Sequence, residues 1–399
     1  MILGDAPWRS RTGMKRLLGV LGGEAGETRF VGGCVRDTLL GLEVSDVDLA
    51  TRLVPETVLD RLAKVGIKAV PTGLAHGTVT AVVGGAPVEV TTLRRDVATD
   101  GRRATIAFTQ DWREDAARRD FTINALLADP KTGEVFDYFG GEQDLEARRV
   151  RFIGEPLSRI AEDHLRILRF FRFHARFGAG EPDAAALEAC VARANDLMAL
   201  SRERVADELL KLLSLPDPAP TTRLMSARGI LMPVLPEIGS ADRLAALVAA
   251  EAAADIAPDP VRRLAALLPA DAEVAASVAA RLRMSKRAAK RLISAADPSL
   301  DGPEALAYRI GNEQAVDRFL LAGDTGVDLK ALRVWQRPRL AVSGGDLIAM
   351  GLAAGPVVAA TLQAIEREWA SSGFSSDAAA VSALARRHVD QALRSWSSQ

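Results

Sequence analysis

The chain has 399 residues, of which 48% are hydrophobic and 26% charged, as is typical of a folded protein with two or three units. Its net charge of -1 means that any nucleic-acid binding must rely on local basic surface. Two cysteines argue against a disulfide framework. The first residues, MILGDAPWRS, contain no signal-peptide core, and no apolar run approaches membrane-spanning length. We therefore expect a cytoplasmic protein without a membrane partner.

Residues 30–51 read FVGGCVRDTLLGLEVSDVDLAT, with a glycine pair just before a predicted helix over residues 34–40. Gly32 and Gly33 allow the backbone to turn sharply and to approach a ligand closely. The positive N-terminus of the helix would then face an anion, with Arg36 in the first turn beside it. This segment predicts a phosphate-binding bend.

Asp46 and Asp48 alternate with Val47 and Leu49 in the same segment. On a strand this period of two places both carboxylates on one face and both apolar side chains on the other. Magnesium commonly takes one or two carboxylates together with substrate phosphates. Two aspartates at this spacing are by themselves typical of a solvated strand edge. Beside the glycine bend they predict a metal site for a nucleoside triphosphate.

Residues 77–83 and 88–93 read as two strands joined around Gly84 and Gly85, which is a strong hairpin signal. Glu89 lies between two valines, so it points away from the face that they bury. If the hairpin pairs beside the strand of Asp46, Glu89 could complete a two-metal site of the polymerase type. An ordinary surface glutamate on a strand is the alternative.

Three further segments follow in order: GLAHGTVTAVV at 73–83, DAARRDFTINALLAD at 115–129 and AEDHLRILRFFRF at 161–173. Together with residues 30–51 they resemble the bacterial class II tRNA nucleotidyltransferases, the CCA-adding enzymes, whose catalytic head is shared with bacterial poly(A) polymerases. Beyond about residue 220 the resemblance is only to a helical body of loose sequence. It implies an α+β fold, with an N-terminal mixed α/β head of the polymerase β type and an all-α remainder.

The resemblance also implies roles for individual residues. Asp46 and Asp48 match the metal-binding pair, and Glu89 falls where related enzymes place a third catalytic carboxylate. Nucleotide contacts are implied at Gly33, Arg36 and Arg119. Without the resemblance, the run from Arg118 to Asp120 is more typical of a charge cluster at the start of a helix.

Asp163, Arg166, Arg169 and Arg172 recur every three residues, so on a helix they form one polar stripe that we expect to contact the nucleotide. A solvated, salt-bridged face produces the same pattern. The resemblance implies that Asp163 and Arg166 read the base. An ionised Asp only accepts hydrogen bonds and Arg only donates them, which suits the donor and acceptor edges of cytosine and adenine and opposes those of uracil and guanine. Such a site can discriminate by a factor on the order of 10⁴ or more.

The predicted activity is template-independent addition of CCA to the 3′ end of tRNA from CTP and ATP, with release of pyrophosphate. The ribose 3′ hydroxyl would attack the α-phosphate with the help of two Mg²⁺ ions. Poly(A) synthesis, addition of CC or A alone, and RNA binding without catalysis stay open as alternatives. Residues 94–109 are polar and without periodicity, which predicts a mobile loop beside the active site. In the resembling family a loop here favours full CCA synthesis.

Short strands alternate with helices up to about residue 145, and after Phe152 alanine-rich amphipathic stretches dominate. We therefore expect a catalytic head over residues 1–150, a helical neck over 151–220, and a body and tail over 221–399 that bind tRNA. No obligate protein partner is evident. A basic cluster, predicted on one helix, is a weak candidate for contacts with tRNA phosphates, although a solvated face is the commoner reading. Its members are Arg281, Arg283, Lys286, Arg287, Lys290 and Arg291.

Overall fold

The computed structural model describes residues 1–99, 104–324, 326–375 and 377–396. The chain forms two compact units. The first comprises Met1–Leu212 and Leu224–Val234, and the second comprises Leu213–Arg223 and Leu235–Gln399. Within the described ranges, no helix combines the length and the apolar character that crossing a membrane requires. The finer division into head, neck, body and tail stays a prediction.

The first unit begins with a mixed α/β region. Its elements are α1 (Met14–Val20), β1 (Thr28–Val31), α2 (Gly33–Leu39), β2 (Asp48–Thr51), α3 (Pro55–Lys64), β3 (Ala69–Gly73), β4 (Thr78–Val83), β5 (Ala86–Thr92), β6 (Arg94–Thr99), β7 (Ala104–Phe108), α4 (Trp112–Ala117), β8 (Leu127–Ala128), β9 (Val135–Phe136) and α5 (Gly141–Glu146). Seven strands form one sheet in the order β3-β4-β5-β2-β1-β8-β9. Strands β2 and β5 are parallel, and the other neighbours are antiparallel.

The predicted hairpin is confirmed as β4 and β5. Gly84 and Gly85 have φ values of +57° and +80°, the left-handed region that a two-residue hairpin turn of this kind uses. Side chains alternate along both strands, so that Val79, Val88 and Val90 lie in the core. Because β5 then pairs with β2, the hairpin carries Glu89 to the strand of the two aspartates.

The segment over residues 94–109 that the sequence predicts as a mobile loop contains two strands in the structure. Strands β6 and β7 form a separate antiparallel ribbon, in register from Arg94 with Phe108 to Thr99 with Ala104. Residues 100–103 of the predicted loop lie outside the described residues. A two-stranded ribbon is held by its backbone ladder, so it forms here without the apolar alternation from which strands are recognised in a sequence.

Helices follow the sheet, and within the described residues no strand lies beyond β9, as expected. They are α6 (Pro156–Glu162), α7 (Arg166–Phe177), α8 (Ala184–Ala192), α9 (Arg202–Leu213), α10 (Ala219–Ala227), α11 (Asp242–Ala253), α12 (Pro260–Leu267), α13 (Ala272–Arg281), α14 (Lys286–Ala296), α15 (Pro303–Ile310), α16 (Asn312–Ala322), α17 (Leu329–Val334), α18 (Gly344–Ala349), α19 (Pro356–Ser371) and α20 (Ala378–Trp396).

Residues 275–295 are alanine-rich and amphipathic, which predicts one helix, but the structure forms two helices here. The alanine-rich stretch over residues 275–295 breaks between α13 and α14, where Arg283 has a φ of +51°. Ser285 then caps α14, since its Oγ accepts a hydrogen bond from the backbone N of Ala288 at 3.3 Å. Serine is a favoured N-cap residue, so a new helix begins after Ser285.

Candidate active site

The glycine bend lies between β1 and α2, as the sequence predicts. Gly32 has φ +73° and ψ -125°, a conformation that side chains strain to adopt. A Cβ added at Gly32 would lie 3.3 Å from Nη1 of Arg119. The absence of a side chain therefore lets Arg119 approach the bend, next to Gly33 at the start of α2.

The two aspartates lie at the entry to β2 with the predicted alternation. Val47 and Leu49 are buried, Asp46 is exposed and Asp48 is half-buried. Asp48 is in register with Glu89 on the parallel strand β5. Burial and the charge of Glu89 raise the pKa of Asp48 to about 6, with a further contribution from Asp46 and against the opposing charge of Arg119.

These carboxylates suit a divalent cation. Its charge would offset the burial and the repulsion from Glu89 that disfavour the ionised form of Asp48. In the described part of the chain, however, no three Asp, Glu, His or Cys side chains lie together closely enough to hold a metal ion. The two aspartates would thus need oxygens from a substrate to complete a coordination shell. A metal-binding role for Glu89 stays a prediction.

Arg36 is buried in the wall of the site and held on several sides. Its Nε donates to Oδ1 of Asp37 at 2.7 Å, and its Nη1 donates to Oδ1 of Asn124. The guanidinium also lies 4.1 Å from the ring centroid of Phe177. Burial lowers the pKa of Arg36, against the raising effect of Asp37. Arg36 is therefore a preorganised cation rather than a mobile surface arginine.

Arg119 and Arg118 share one buried carboxylate. Asp115, which is 1% exposed, accepts from Nε of Arg118 at 2.9 Å and from Nη2 of Arg119 at 3.3 Å. Its Oδ1 also accepts from the backbone N of Arg94 at the base of the ribbon, at 3.2 Å. Burial opposes ionisation of Asp115, but the two arginines outweigh it and lower the pKa. Asp115 thus orients Arg119 in the site.

Asp163 is not on the predicted continuous helix. It occupies the break between α6 and α7 with an extended backbone, so the polar stripe begins only with Arg166, the first residue of α7. Oδ1 of Asp163 accepts from the backbone N of Leu165 at 3.1 Å, which stabilises the break. Its Oδ2 accepts from Nη2 of Arg204 at 2.7 Å.

Arg204 on α9 is a site residue that the sequence reasoning missed. It is 41 residues from Asp163, and no local pattern links the two. The only signal is that SRER, residues 201–204, is a charged start to an amphipathic helix. Such a start is common at helix N-termini and does not by itself indicate a partner.

Arg166 is also engaged by neighbouring protein groups. Its Nη1 donates to the backbone O of Arg159 at 2.7 Å and to Oε2 of Glu162, and its Nη2 donates to the backbone O of Arg118 at 3.2 Å. These bonds leave Nε and one hydrogen of Nη2 for other acceptors. Arg166 is thereby fixed between α6 and the segment of Arg118.

Arg169 and Arg172 pair with buried carboxylates. Arg169 donates from both Nε and Nη2 to Oδ2 of Asp120, at 2.8 and 2.5 Å. Arg172 donates from Nε to Oε2 of Glu208 at 2.6 Å, and Glu208 is 3% exposed. Burial opposes ionisation of Asp120, but Arg169 and a hydrogen bond from Asn124 outweigh it and lower the pKa to about 2.

The glycine bend, the two aspartates and the arginines described above line one open cleft with a volume of about 610 Å³. Apart from Glu89, which lies beside Asp48 in the sheet, every residue predicted for catalysis or nucleotide binding lines it. The lining consists of Gly32, Gly33, Arg36, Asp46, Asp48, Arg118, Arg119, Asp120, Asn124, Asp163, Arg166, Arg169, Arg172 and Phe173. Carboxylates at one side and arginines around the rest make a site for an anion that carries metal ions.

The predicted basic cluster of the second unit is not a single helical face. Arg281 ends α13 and is bound by both carboxylate oxygens of Glu237, at 3.0 and 2.5 Å. Arg291 on α14 pairs with Asp317 and with two further carboxylates, those of Asp259 and Glu313. Folding brings these acidic partners from distant positions in the sequence, so Arg281 and Arg291 are already paired with carboxylates of the second unit. The other four members are exposed.

Comparison with known families agrees with this geometry. The family model described as the poly A polymerase head domain matches residues 28–151. A second model, described as a probable RNA and SrmB-binding site of polymerase A, matches residues 181–241. The fold and the site together define a nucleotidyltransferase with a head of the poly(A) polymerase type.

The CCA tRNA nucleotidyltransferase 1 of Mus musculus, a mitochondrial protein, is 35% identical over 384 residues, which cover 91% of this chain and 87% of the mouse protein. The CCA-adding enzyme of Oceanobacillus iheyensis is 42% identical over 188 residues, or 47% of this chain and 46% of that protein. A crystal structure of the Bacillus stearothermophilus CCA-adding enzyme in complex with CTP has a TM-score of 0.75 and 28% identity, covering 94% of this chain and 98% of that one. The chain belongs to the family of CCA tRNA nucleotidyltransferases.

Proposed function

We propose that this enzyme adds C, C and A to the 3′ end of tRNA without a template, using CTP and ATP. The observation that carries the proposal is the convergence of three groups in one cleft: the aspartate pair, the glycine bend with its arginines, and the pair formed by Asp163 and Arg166. The relatives at 34–35% identity over most of the chain are named for the same activity.

The reaction is a nucleotidyl transfer. The 3′ oxygen of the RNA forms a bond to the α-phosphorus of the nucleotide, and the bond from that phosphorus to the bridging oxygen of the β-phosphate breaks. Pyrophosphate leaves, and the proton of the hydroxyl passes to solvent. Arg36 and Arg119 lie where they can neutralise the triphosphate, and Asp115 and Asn124 keep their guanidinium groups in place.

Nucleotidyltransferases of this family use divalent metal, and we propose Mg²⁺ for this chain. Asp46 and Asp48 would hold it, and it would promote loss of the hydroxyl proton and stabilise charge on the leaving pyrophosphate. Their hard carboxylate oxygens and the raised pKa of Asp48 fit such a cation. Neither buried cysteine is needed as a nucleophile, since burial raises the pKa of Cys34 to about 12 and keeps it a thiol.

The base would be selected by Asp163 and Arg166. Arg204 and the amide of Leu165 leave further lone pairs on the carboxylate of Asp163, and Arg166 retains unused N–H groups. An amino donor of cytosine or adenine can bond to the former, and a ring-nitrogen acceptor to the latter. The carbonyl and N–H edge of uracil or guanine would face groups of the same kind and lose both bonds.

The experiment supplies the full chain and Mg²⁺ with tRNA that lacks its 3′ CCA, offers each nucleotide alone and all four together, and sequences the products. We expect CC with CTP alone and CCA with CTP and ATP. A long A tract would show a poly(A) polymerase, and addition that stops at CC or is restricted to A would show a split activity. No extension under any condition would contradict the proposal.

The proposal includes the division of labour expected from the sequence. The head over residues 1–150 would perform the chemistry, the neck over 151–220 would select the base, and the body and tail over 221–399 would bind tRNA. A cytoplasmic location is also part of it. The mouse and human relatives are both named as mitochondrial, so fractionation of the source cells is the measurement that decides the compartment.

A further inference from the structure

A second cleft, with a volume of about 1060 Å³, lies wholly within the second unit, and we refer to it as the aromatic cleft. Its walls are formed by α15, α19 and the irregular segment that follows α17. The side chains that matter here are Tyr308, Trp335, Arg337, Arg367 and Phe374. None of them belongs to the nucleotide cleft of the first unit.

Aromatic rings form the floor of this cleft. Phe374 lies with its ring centroid 5.3 Å from those of both Tyr308 and Trp335. Trp335 is only half-buried, so part of its indole is open to a ligand. Nδ2 of Asn312 donates to the backbone O of Trp335 at 2.8 Å, and this hydrogen bond ties the segment after α17 to α16. Trp335 lines the cleft with its ring packed against Phe374, and it offers an aromatic surface for stacking.

The rim that follows α17 is basic. From residue 335 to residue 345 the sequence contains Arg337 and Arg339 and no acidic residue. The guanidinium of Arg337 lies 4.2 Å from the ring centroid of Tyr308. Among the described residues, neither Arg337 nor Arg339 forms an ion pair, and both are exposed. Arg337, which lines the cleft, can therefore accept an anion without breaking an existing pair.

Of the acidic residues of the aromatic cleft, Glu304 and Glu366 lie on α15 and α19, and Asp301 lies just before α15. Asp301 is already paired with Arg309 at 2.8 Å, and Glu366 accepts a hydrogen bond from the hydroxyl of Tyr308 at 3.4 Å. Glu304 on α15 is exposed. Arg367 on α19 also lines the cleft, so cations face it from a helix as well as from the segment that carries Trp335. A ligand that combines a planar group with anionic groups fits this arrangement.

We propose that the aromatic cleft binds an unpaired nucleotide of the RNA substrate, with its base stacked on Trp335 and a flanking phosphate on Arg337. The identity of the RNA rests on the proposed function. Stacking on an aromatic ring tolerates any base, and arginines follow the phosphates, which is how single-stranded RNA is commonly held. An acidic peptide would engage the arginines but would leave the open face of the indole unused.

The phosphate contacts are tested by the binding of tRNA to the full chain over a series of salt concentrations. We expect Arg337→Gln to weaken binding several-fold and to reduce the slope of log K against log salt by about 1, as loss of one phosphate contact does. Arg386→Gln is the matched control, because Arg386 is an exposed arginine on α20 away from the aromatic cleft. Equal effects of the two substitutions, or no effect of Arg337→Gln, would overturn the proposal.

The stacking contact is tested at Trp335. We expect Trp335→Leu, which keeps an apolar side chain, to weaken tRNA binding about tenfold, and Trp335→Phe to restore most of it. The melting temperature of each variant shows whether the unit is still folded. Undiminished binding by a folded Trp335→Leu variant would overturn the assignment. Displacement of tRNA by polyglutamate as efficiently as by a single-stranded RNA would also overturn it, since polyglutamate offers charge without bases.

The same samples separate this inference from the proposed function. CTP incorporation by the unmodified chain tests the function, and tRNA binding by the variants tests the cleft. At limiting tRNA we expect the activity of both variants to fall with their affinity for tRNA, while the KM for CTP stays that of the unmodified chain, because neither residue lies in the nucleotide cleft. If the unmodified chain is active and the variants bind tRNA normally, the proposal for the aromatic cleft is refuted and the proposed function stands.

Discussion

At the scale of single residues, Asp48 joins structure to chemistry. It is half-buried, it pairs in register with Glu89, and its carboxylate lies at the same cleft as the glycine bend. A buried carboxylate with acidic neighbours is unfavourable for folding and useful for holding a cation. The position therefore contributes little to stability and a great deal to the proposed reaction.

We expect Asp48→Asn to abolish CTP incorporation, by at least about 10³-fold, while the protein stays folded. The amide is a poor metal ligand but keeps the shape of the side chain and removes the repulsion from Glu89, so the melting temperature should be equal or higher. Incorporation of labelled CTP and a thermal melt measure the two effects. Asp60→Asn, at an exposed aspartate of α3, is the control and should leave the activity unchanged. An active Asp48→Asn variant would refute the metal-binding role.

Asp120 gives a prediction about pH. Its pKa of about 2 in the folded state lies below the ordinary value of roughly 3.9, so ionised Asp120 stabilises the fold above pH 4 by roughly 2 kcal/mol. This contribution is lost as the pH falls from 4 to 2. We therefore expect Asp120→Asn to lower the free energy of unfolding at pH 6, and the difference from the unmodified chain to shrink toward pH 2. Urea unfolding at several pH values measures it, and a difference independent of pH would contradict the assignment.

At the scale of elements, helix α9 supports the base-reading pair. It delivers Arg204 to Asp163 and Glu208 to Arg172, so one helix fixes two positions of the cleft. Neither contact could be predicted from the sequence, because the partners are 41 and 36 residues apart and helical spacing relates only near neighbours.

We expect Arg204→Gln to raise the KM for CTP about tenfold and to relax discrimination against UTP, since Asp163 loses the bond that orients its carboxylate. Binding of tRNA should not change. Lys211→Gln, an exposed substitution on the same helix, is the control. Steady-state incorporation of each nucleotide measures selectivity. Unchanged selectivity with a normal KM would show that Arg204 does not position Asp163.

The sequence predicts an element well when neighbouring residues determine it, and poorly when contacts between distant residues do. The β4–β5 hairpin follows from strict alternation and two turn glycines. The break at Asp163 could not be seen, because the spacing of three residues continues through it. The placement of the basic cluster on one helix was wrong, and the acids that bind Arg281 and Arg291 could not be foreseen because they lie 22 to 44 residues away. Its role in RNA binding stays a prediction.

At the scale of the whole molecule, the second unit is built around buried charges. Glu251 is 2% exposed and accepts from Nε of Arg262 and of Arg263, each at 2.8 Å. Arg263 also donates to the backbone O of Leu213 at 2.8 Å. Each charge is tolerated only because the others compensate it, so the group acts as one stabilising cluster.

We expect Glu251→Gln to destabilise the second unit by about 3 to 5 kcal/mol, because two buried guanidinium groups lose their counter-ion. Glu273→Gln, at an exposed glutamate of α13, should change stability by less than about 0.5 kcal/mol. Limited proteolysis should show cleavage within residues 235–399 before cleavage within residues 1–212. Equal protease resistance of Glu251→Gln and the unmodified chain would contradict this account.

The central claim is that the aspartate pair, the glycine bend and the base-reading pair act on one nucleotide. A crystal structure of the full chain with CTP and Mg²⁺ tests it most directly. We predict metal density at Asp46 and Asp48, the triphosphate between Gly33, Arg36 and Arg119, and the cytosine edge against Asp163 and Arg166. CTP bound elsewhere, or bound in this cleft with neither aspartate touching metal or phosphate, would contradict the account.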